Sequence, residues 1–135
     1  MTSLTGYSES RPLGLARGAG DRSRTATIVL WVIQIGAAGM ILLAGSMKLL
    51  GAAPLVQMFA AIGIGQWFRY VTGTIEVVSG VLLLVPSLAF FGAVALVPTM
   101  IGAIATHLFV VGGSPAPAIG LLAAASAVAW MRRPR

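Results

Sequence analysis

Between Arg24 and Arg132 the chain carries three charged side chains, Lys48, Arg69 and Glu76, together with its single histidine, His107. So long a stretch with so little charge cannot present a water-facing surface. Soluble domains are about 25% charged, whereas this chain is 9% charged and 58% hydrophobic. It reads as an all-α, polytopic membrane protein, since hydrocarbon admits helices that satisfy their own backbone. At about 20 residues per crossing, a chain of 135 residues holds four transmembrane helices and short loops, packed as one bundle.

The apolar pattern divides accordingly. Residues 1–25 are polar, rich in Gly, Ser and Arg, and without an apolar period, so they are expected to form a disordered cytoplasmic tail. That tail is too long for the n-region of a signal peptide, and the apolar run after it exceeds an h-region. The membrane domain is expected over 26–131, with spans at about 27–49, 70–85, 88–111 and 118–131, and 132–135 form a basic cytoplasmic tail. Between the first two spans, Pro54–Ala61 reads as a short interfacial helix opened by its proline and closed by Gly63 and Gly65. Trp67, Phe68 and Tyr70 form an aromatic belt where the second span begins. Pro86-Ser87 makes a tight turn, and Pro98 lies inside the third span. The fourth span is short and rich in Ala and Gly, which suits close helix–helix contact.

The net charge of +6 does not point to nucleic acid. The arginines cluster in the two tails, at Arg11, Arg17, Arg22 and Arg24 and at Arg132, Arg133 and Arg135, flanking apolar spans and forming no stripe. Basic flanks mark the cytoplasmic side. Two basic tails on one side require an even number of crossings, so the chain is expected in the cell membrane with both termini cytoplasmic. There are no cysteines, which excludes disulfides, thiolate metal sites and thiol exchange. One histidine does not make a multi-histidine metal site, and no metal site is expected.

The four ionisable positions converge. Lys48 ends the first span on the outer side, and Arg69 begins the second on that side. Glu76 lies seven residues further, about 10 Å deeper at about 1.5 Å per residue. His107 is near the outer end of the third span. Arg69, Gly73, Glu76 and Gly80 share one helical stripe, as do Gln34, Ala38, Ile41, Gly45 and Lys48. Thr99, Ala103 and Thr106 run beside His107. The glycines let helices approach closely, so these faces are expected to point at one another. A carboxylate at this depth costs a few kcal/mol unless paired or neutralised. Two readings stand. Glu76 and a base (Lys48, Arg69 or His107) tie helices in register, or Lys48, Arg69, Glu76 and His107 form a polar site for a ligand or proton. Imidazole changes charge readily near neutrality. A transporter is disfavoured by the lack of an internal repeat.

Three segments together carry a resemblance: AGSMKLLG (Ala44–Gly51), GTIEVVSGVLLLVP (Gly73–Pro86) and MIGAIATHLFV (Met100–Val110). Gly45 and Lys48, then Gly73, Glu76 and Gly80, then Ala103 and His107, follow the pattern of the DoxX-like integral membrane proteins. The resemblance spans roughly Ile28–Trp130. It implies a short four-helix membrane chain. Members include a subunit associated with thiosulfate:quinone oxidoreduction, components of redox-stress complexes, and eukaryotic relatives that assist receptor assembly. A role that uses a membrane thiol does not carry over to a chain without cysteine. What the resemblance implies is an accessory subunit of a quinone-linked redox system, with a protein redox partner, quinone as the candidate cofactor and nothing bound covalently. The alternative is a non-enzymatic scaffold or assembly factor whose buried charges are structural.

Overall fold

The computed structural model describes the backbone of residues 15–135 and the side chains of residues 23–135. Five α-helices follow in order: α1 Leu15–Leu50, α2 Ala53–Ile62, α3 Gln66–Leu84, α4 Ala89–Thr106 and α5 Ala116–Met131. A π-helical turn, His107–Val111, extends α4. No strand occurs among the described residues. Ser23–Leu50, Gln66–Leu84 and Ala89–Val111 are long and apolar enough to cross a membrane, while α5 and α2 are shorter apolar helices.

The tail expected over 1–25 is therefore corrected: residues 15–25 are already helical, and residues 1–14 lie outside the described residues. No proline interrupts the chain between Pro12 and Pro54, and the Ala, Leu and Arg positions after Gly14 favour helix. The second span also begins earlier than expected, at Gln66. The short helix after the first span is two residues longer than the expected Pro54–Ala61, one at each end. Gly63 ends it in the left-handed region (φ 81°), donating its N–H to the Phe59 carbonyl. Val85–Leu88 is the expected tight turn, closed by Leu88 N–H to Val85 O at 2.9 Å.

Helices α1, α3, α4 and α5 pack in a ring: α1 on α3, α3 on α4, α4 on α5, and α5 back on α1. The ring closes because each helix offers an inward stripe. Gln34, Ala38, Ile41 and Gly45 are buried on α1; Arg69, Gly73, Glu76, Ser79, Gly80 and Leu83 are buried on α3. Ala93, Leu96 and Met100 of α4 and Ala125 and Val128 of α5 complete the core. Outward positions such as Val32, Ile35, Leu43, Phe91, Ile101 and Ile119 are exposed apolar side chains. In water they would form an adhesive surface; in a bilayer they are the lipid face. The molecule is a multi-pass helical membrane protein.

One end of the ring is tied by a polar knot. Gln34, fully buried, donates its amide to the Leu83 carbonyl, one of the last carbonyls of α3 that its own helix cannot satisfy. Its Oε1 accepts from Arg132 Nε at 3.2 Å. Replacing Gln34 with Leu strands both partners. The expected cost is about 1–3 kcal/mol, read as a lower unfolding midpoint in detergent; an unchanged midpoint would show that the knot contributes nothing.

Candidate functional site

The other end of the ring holds the charges. Lys48 lies in the last turn of α1, where a cation is also favoured by the helix dipole. Its Nζ donates to both carboxylate oxygens of Glu76, at 2.8 and 2.6 Å. The Glu76 side chain is 3% exposed and that of Lys48 15%. This is the single ion pair among the described residues. The two helices meet closely enough for it because glycines face each other: a Cβ placed on Gly45 would lie 2.9 Å from the Gly73 carbonyl oxygen and 3.0 Å from Glu76 Cβ.

Arg69 is placed differently from its sequence-level companions. It is buried, donates from Nη1 to the Lys48 backbone carbonyl, and donates from Nε to Gln66 Oε1 at 2.8 Å. Its guanidinium also stacks on Tyr70 at 4.4 Å. Gln66 in turn donates to the Val56 carbonyl at 3.0 Å, so this chain of bonds fastens the end of α1, the start of α3 and the short α2. Arg69 is a cap on α1, adding a second donor to a last-turn carbonyl that also accepts the Gly51 N–H at 3.3 Å, and has no hydrogen bond or ion pair with Glu76 among the described residues.

Beneath α2 lies a cavity of about 400 Å³. Its walls come from α2 (Met58, Phe59), α3 (Phe68, Ile75) and α4 (Pro98, Ala103). Three of the four sequence-level candidates, Lys48, Glu76 and His107, line it; Arg69 does not. The buried Phe59 packs edge-on against Phe68 at 5.9 Å and holds α2 in place as its roof. The volume falls in the range of about 300–1,000 Å³ typical of small-molecule sites, which are mostly apolar with a few fixed polar groups.

His107 opens the π-helical turn, a local widening that often marks functional positions in α-helices. Its Nδ1 lies 3.0 Å from the Gly112 carbonyl oxygen. A carbonyl only accepts, so Nδ1 carries the hydrogen, and in the neutral ring Nε2 is then an acceptor. Gly112 has φ 72°, which suits glycine and lets the chain fold back over the ring. Nε2 has no partner among the described residues. The threonine hydroxyls of the walls bond back to their own helices: Thr72 to Phe68 O at 3.0 Å, Thr99 to Leu96 O at 2.7 Å and Thr106 to Gly102 O at 2.8 Å. The groups left to meet a ligand are thus the third N–H of Lys48, the remaining lone pairs of Glu76 and Nε2 of His107.

Sequence reasoning missed the roof. The α2 residues of the lining, Leu55, Met58, Phe59 and Ile62, fall at i, i+3, i+4 and i+7 on one face of a short helix, and that stripe was the signal in the sequence that could have found them. No group of His, Asp and Glu among the described residues is arranged to hold a metal ion.

No curated protein and no solved structure matches this chain. The model of the DoxX-like family matches residues 26–131, from the start of the first apolar run to the end of α5. By that match, which takes in both helices of the Lys48–Glu76 pair and the His107 turn, the chain belongs to the DoxX-like family.

Proposed function

We propose that this protein is an accessory subunit of a quinone-linked membrane redox system, and that its cavity receives the quinone headgroup. The observation that carries this reading is one apolar chamber with a donor and an acceptor at fixed places: Lys48, held by Glu76, and His107. A quinone carbonyl would accept from the free N–H of Lys48. The reduced headgroup would donate a hydroxyl to His107 Nε2. Glu76 fixes the position of Lys48. Electrons would come from a protein partner, and the two protons of reduction from the polar groups and water at this end of the bundle.

The same reading has four crossings of the cell membrane with both termini cytoplasmic. Arg132, just beyond α5, touches Gln34 and Trp31 in the N-terminal half of the first candidate span, Ser23–Leu50, which supports an even number of crossings. The basic residues at both ends of the membrane domain support the cytoplasmic side. The last crossing, 16 residues long, would span about 24 Å, short for a bilayer and accommodated by local thinning or by its arginine flank.

A second reading is favoured by one observation: both oxygens of Glu76 and the guanidinium of Arg69 are already engaged by protein groups. On that reading the charges only fasten helices, and the protein is a scaffold or assembly factor. Quinone binding to the purified protein separates the two. Wild type is expected to bind, and His107→Ala, which removes no interhelical bond, is expected to lose most of the affinity while melting like wild type. A wild type that binds no quinone would leave the scaffold reading standing.

A further inference from the structure

At the end of the bundle opposite the cavity, guanidinium groups gather, and none of them forms an ion pair among the described residues. Arg132 is fixed by three contacts. Its backbone N–H bonds Val128 O at 2.8 Å, its Nε bonds the fully buried Gln34 at 3.2 Å, and its guanidinium lies 5.4 Å from the centre of the Trp31 ring. Its two Nη groups have no partner among the described residues. Next to it, Arg133 stacks on the exposed Trp130 at 4.2 Å. Arg24 is exposed and precedes Trp31 by seven residues, which puts it on the same face of α1, two turns further out. The only ion pair among the described residues is far from here, at Lys48 and Glu76.

Depth makes this unusual. Helix α5 has 16 residues, about 24 Å, against a hydrocarbon core of about 30 Å. On the four-crossing reading proposed above, Arg132 stands at the boundary of hydrocarbon and headgroups, and the Gln34 bond holds its Nε there. Its Nε is bonded to Gln34 and its guanidinium lies against the Trp31 ring, so the free Nη fork is held in direction. A guanidinium fork matches phosphate oxygens in two parallel charge-assisted bonds. Beside it, Val32 and Ile35 of α1 are exposed apolar side chains that acyl chains can cover.

We propose that the α1–α5 corner at Trp31, Gln34 and Arg132 is a binding site for the phosphate of an anionic phospholipid, with Arg133 and Arg24 adding long-range attraction. The site rests on the four-crossing topology proposed above and is independent of the cavity and of quinone binding. Its specificity comes from the fixed fork of Arg132, and net charge alone does not reproduce it.

The test uses the full-length chain in vesicles of phosphatidylcholine with increasing phosphatidylglycerol, read by retained lipid in native mass spectrometry and by the unfolding midpoint. Wild type is expected to retain phosphatidylglycerol preferentially and to melt higher as its fraction rises. Arg132→Lys keeps the charge but loses the fork and the Gln34 bond; its preference is expected to fall about tenfold, one lost charge-assisted pair. Arg135→Gln removes a charge and is expected to keep the preference. A wild type without preference for phosphatidylglycerol overturns the proposal whatever the variants do. Equal stabilisation by inorganic phosphate overturns it in favour of a soluble-anion site. An Arg132→Lys that keeps the wild-type preference while Arg135→Gln loses it reduces it to general charge attraction.

Discussion

Lys48→Met is expected to destabilise the protein by about 3–5 kcal/mol, the cost of removing one partner from a buried ion pair. The reason lies in the asymmetry of the pair. Glu76 is almost wholly enclosed in the middle of α3, and both of its oxygens accept from Lys48. Without the ammonium group nothing among the described residues donates to that carboxylate. Glu76→Gln is the milder change. Lys48 is in the last turn of α1 and 15% exposed, so its long stem can carry the charge toward the interface. The double variant Lys48→Met with Glu76→Gln removes both charges, and it is expected to return to within about 1 kcal/mol of wild type. Reversible unfolding of the four proteins in one detergent measures this as a double-mutant cycle. Additive losses would mean that the two side chains do not depend on each other, and the pair would lose its place in both functional readings.

The inward stripes were legible because a helix repeats every 3.6 residues. Arg69, Gly73, Glu76 and Gly80 needed only that period to be placed on one face, and all four are buried. Which base would meet Glu76 was not legible. Lys48, Arg69 and His107 come to similar depth, and the choice depends on how far each helix is rotated about its axis. Rotation is set by the Gly45–Gly73 approach, which brings the Lys48 turn against α3, while Arg69 donates to the Lys48 carbonyl at the end of α1. The π-helical turn at His107 was also hidden. It spans His107–Val111, and the histidine that opens it reaches the carbonyl of Gly112, the residue that ends it; a five-residue closure of this kind has no mark in the apolar period. Least visible was the Gln34–Arg132 bond, between residues 98 positions apart. Gln34 was recognised as part of a polar stripe and Arg132 as a flank, but only the placing of α5 beside α1 joins them.

Gly45→Ala and Gly73→Ala are each expected to cost about 1–3 kcal/mol, the usual penalty for extra atoms in a filled contact. A methyl on Gly45 would be 2.9 Å from the Gly73 carbonyl oxygen and 2.9 Å from Val77 Cγ2; one on Gly73 would be 3.0 Å from Lys48 Cβ and 3.1 Å from the Gly45 carbonyl oxygen. Two of these neighbours are backbone atoms, so relief requires α1 and α3 to move apart. The same movement draws Lys48 away from Glu76, whose Cβ is 3.0 Å from the new methyl on Gly45. Packing and ion pairing should therefore fail together. Gly39 supplies the control: it is exposed on the same helix and an added Cβ meets nothing within 4 Å. There the change to alanine is expected to raise stability by up to about 1 kcal/mol through helix propensity. The informative variant adds Gly45→Ala to the charge-free Lys48→Met, Glu76→Gln background. If the methyl acts partly by breaking the ion pair, its cost there is smaller than in wild type. An equal cost in both backgrounds would confine the role of Gly45 to packing, and the close approach of α1 and α3 would no longer account for where the charged pair forms.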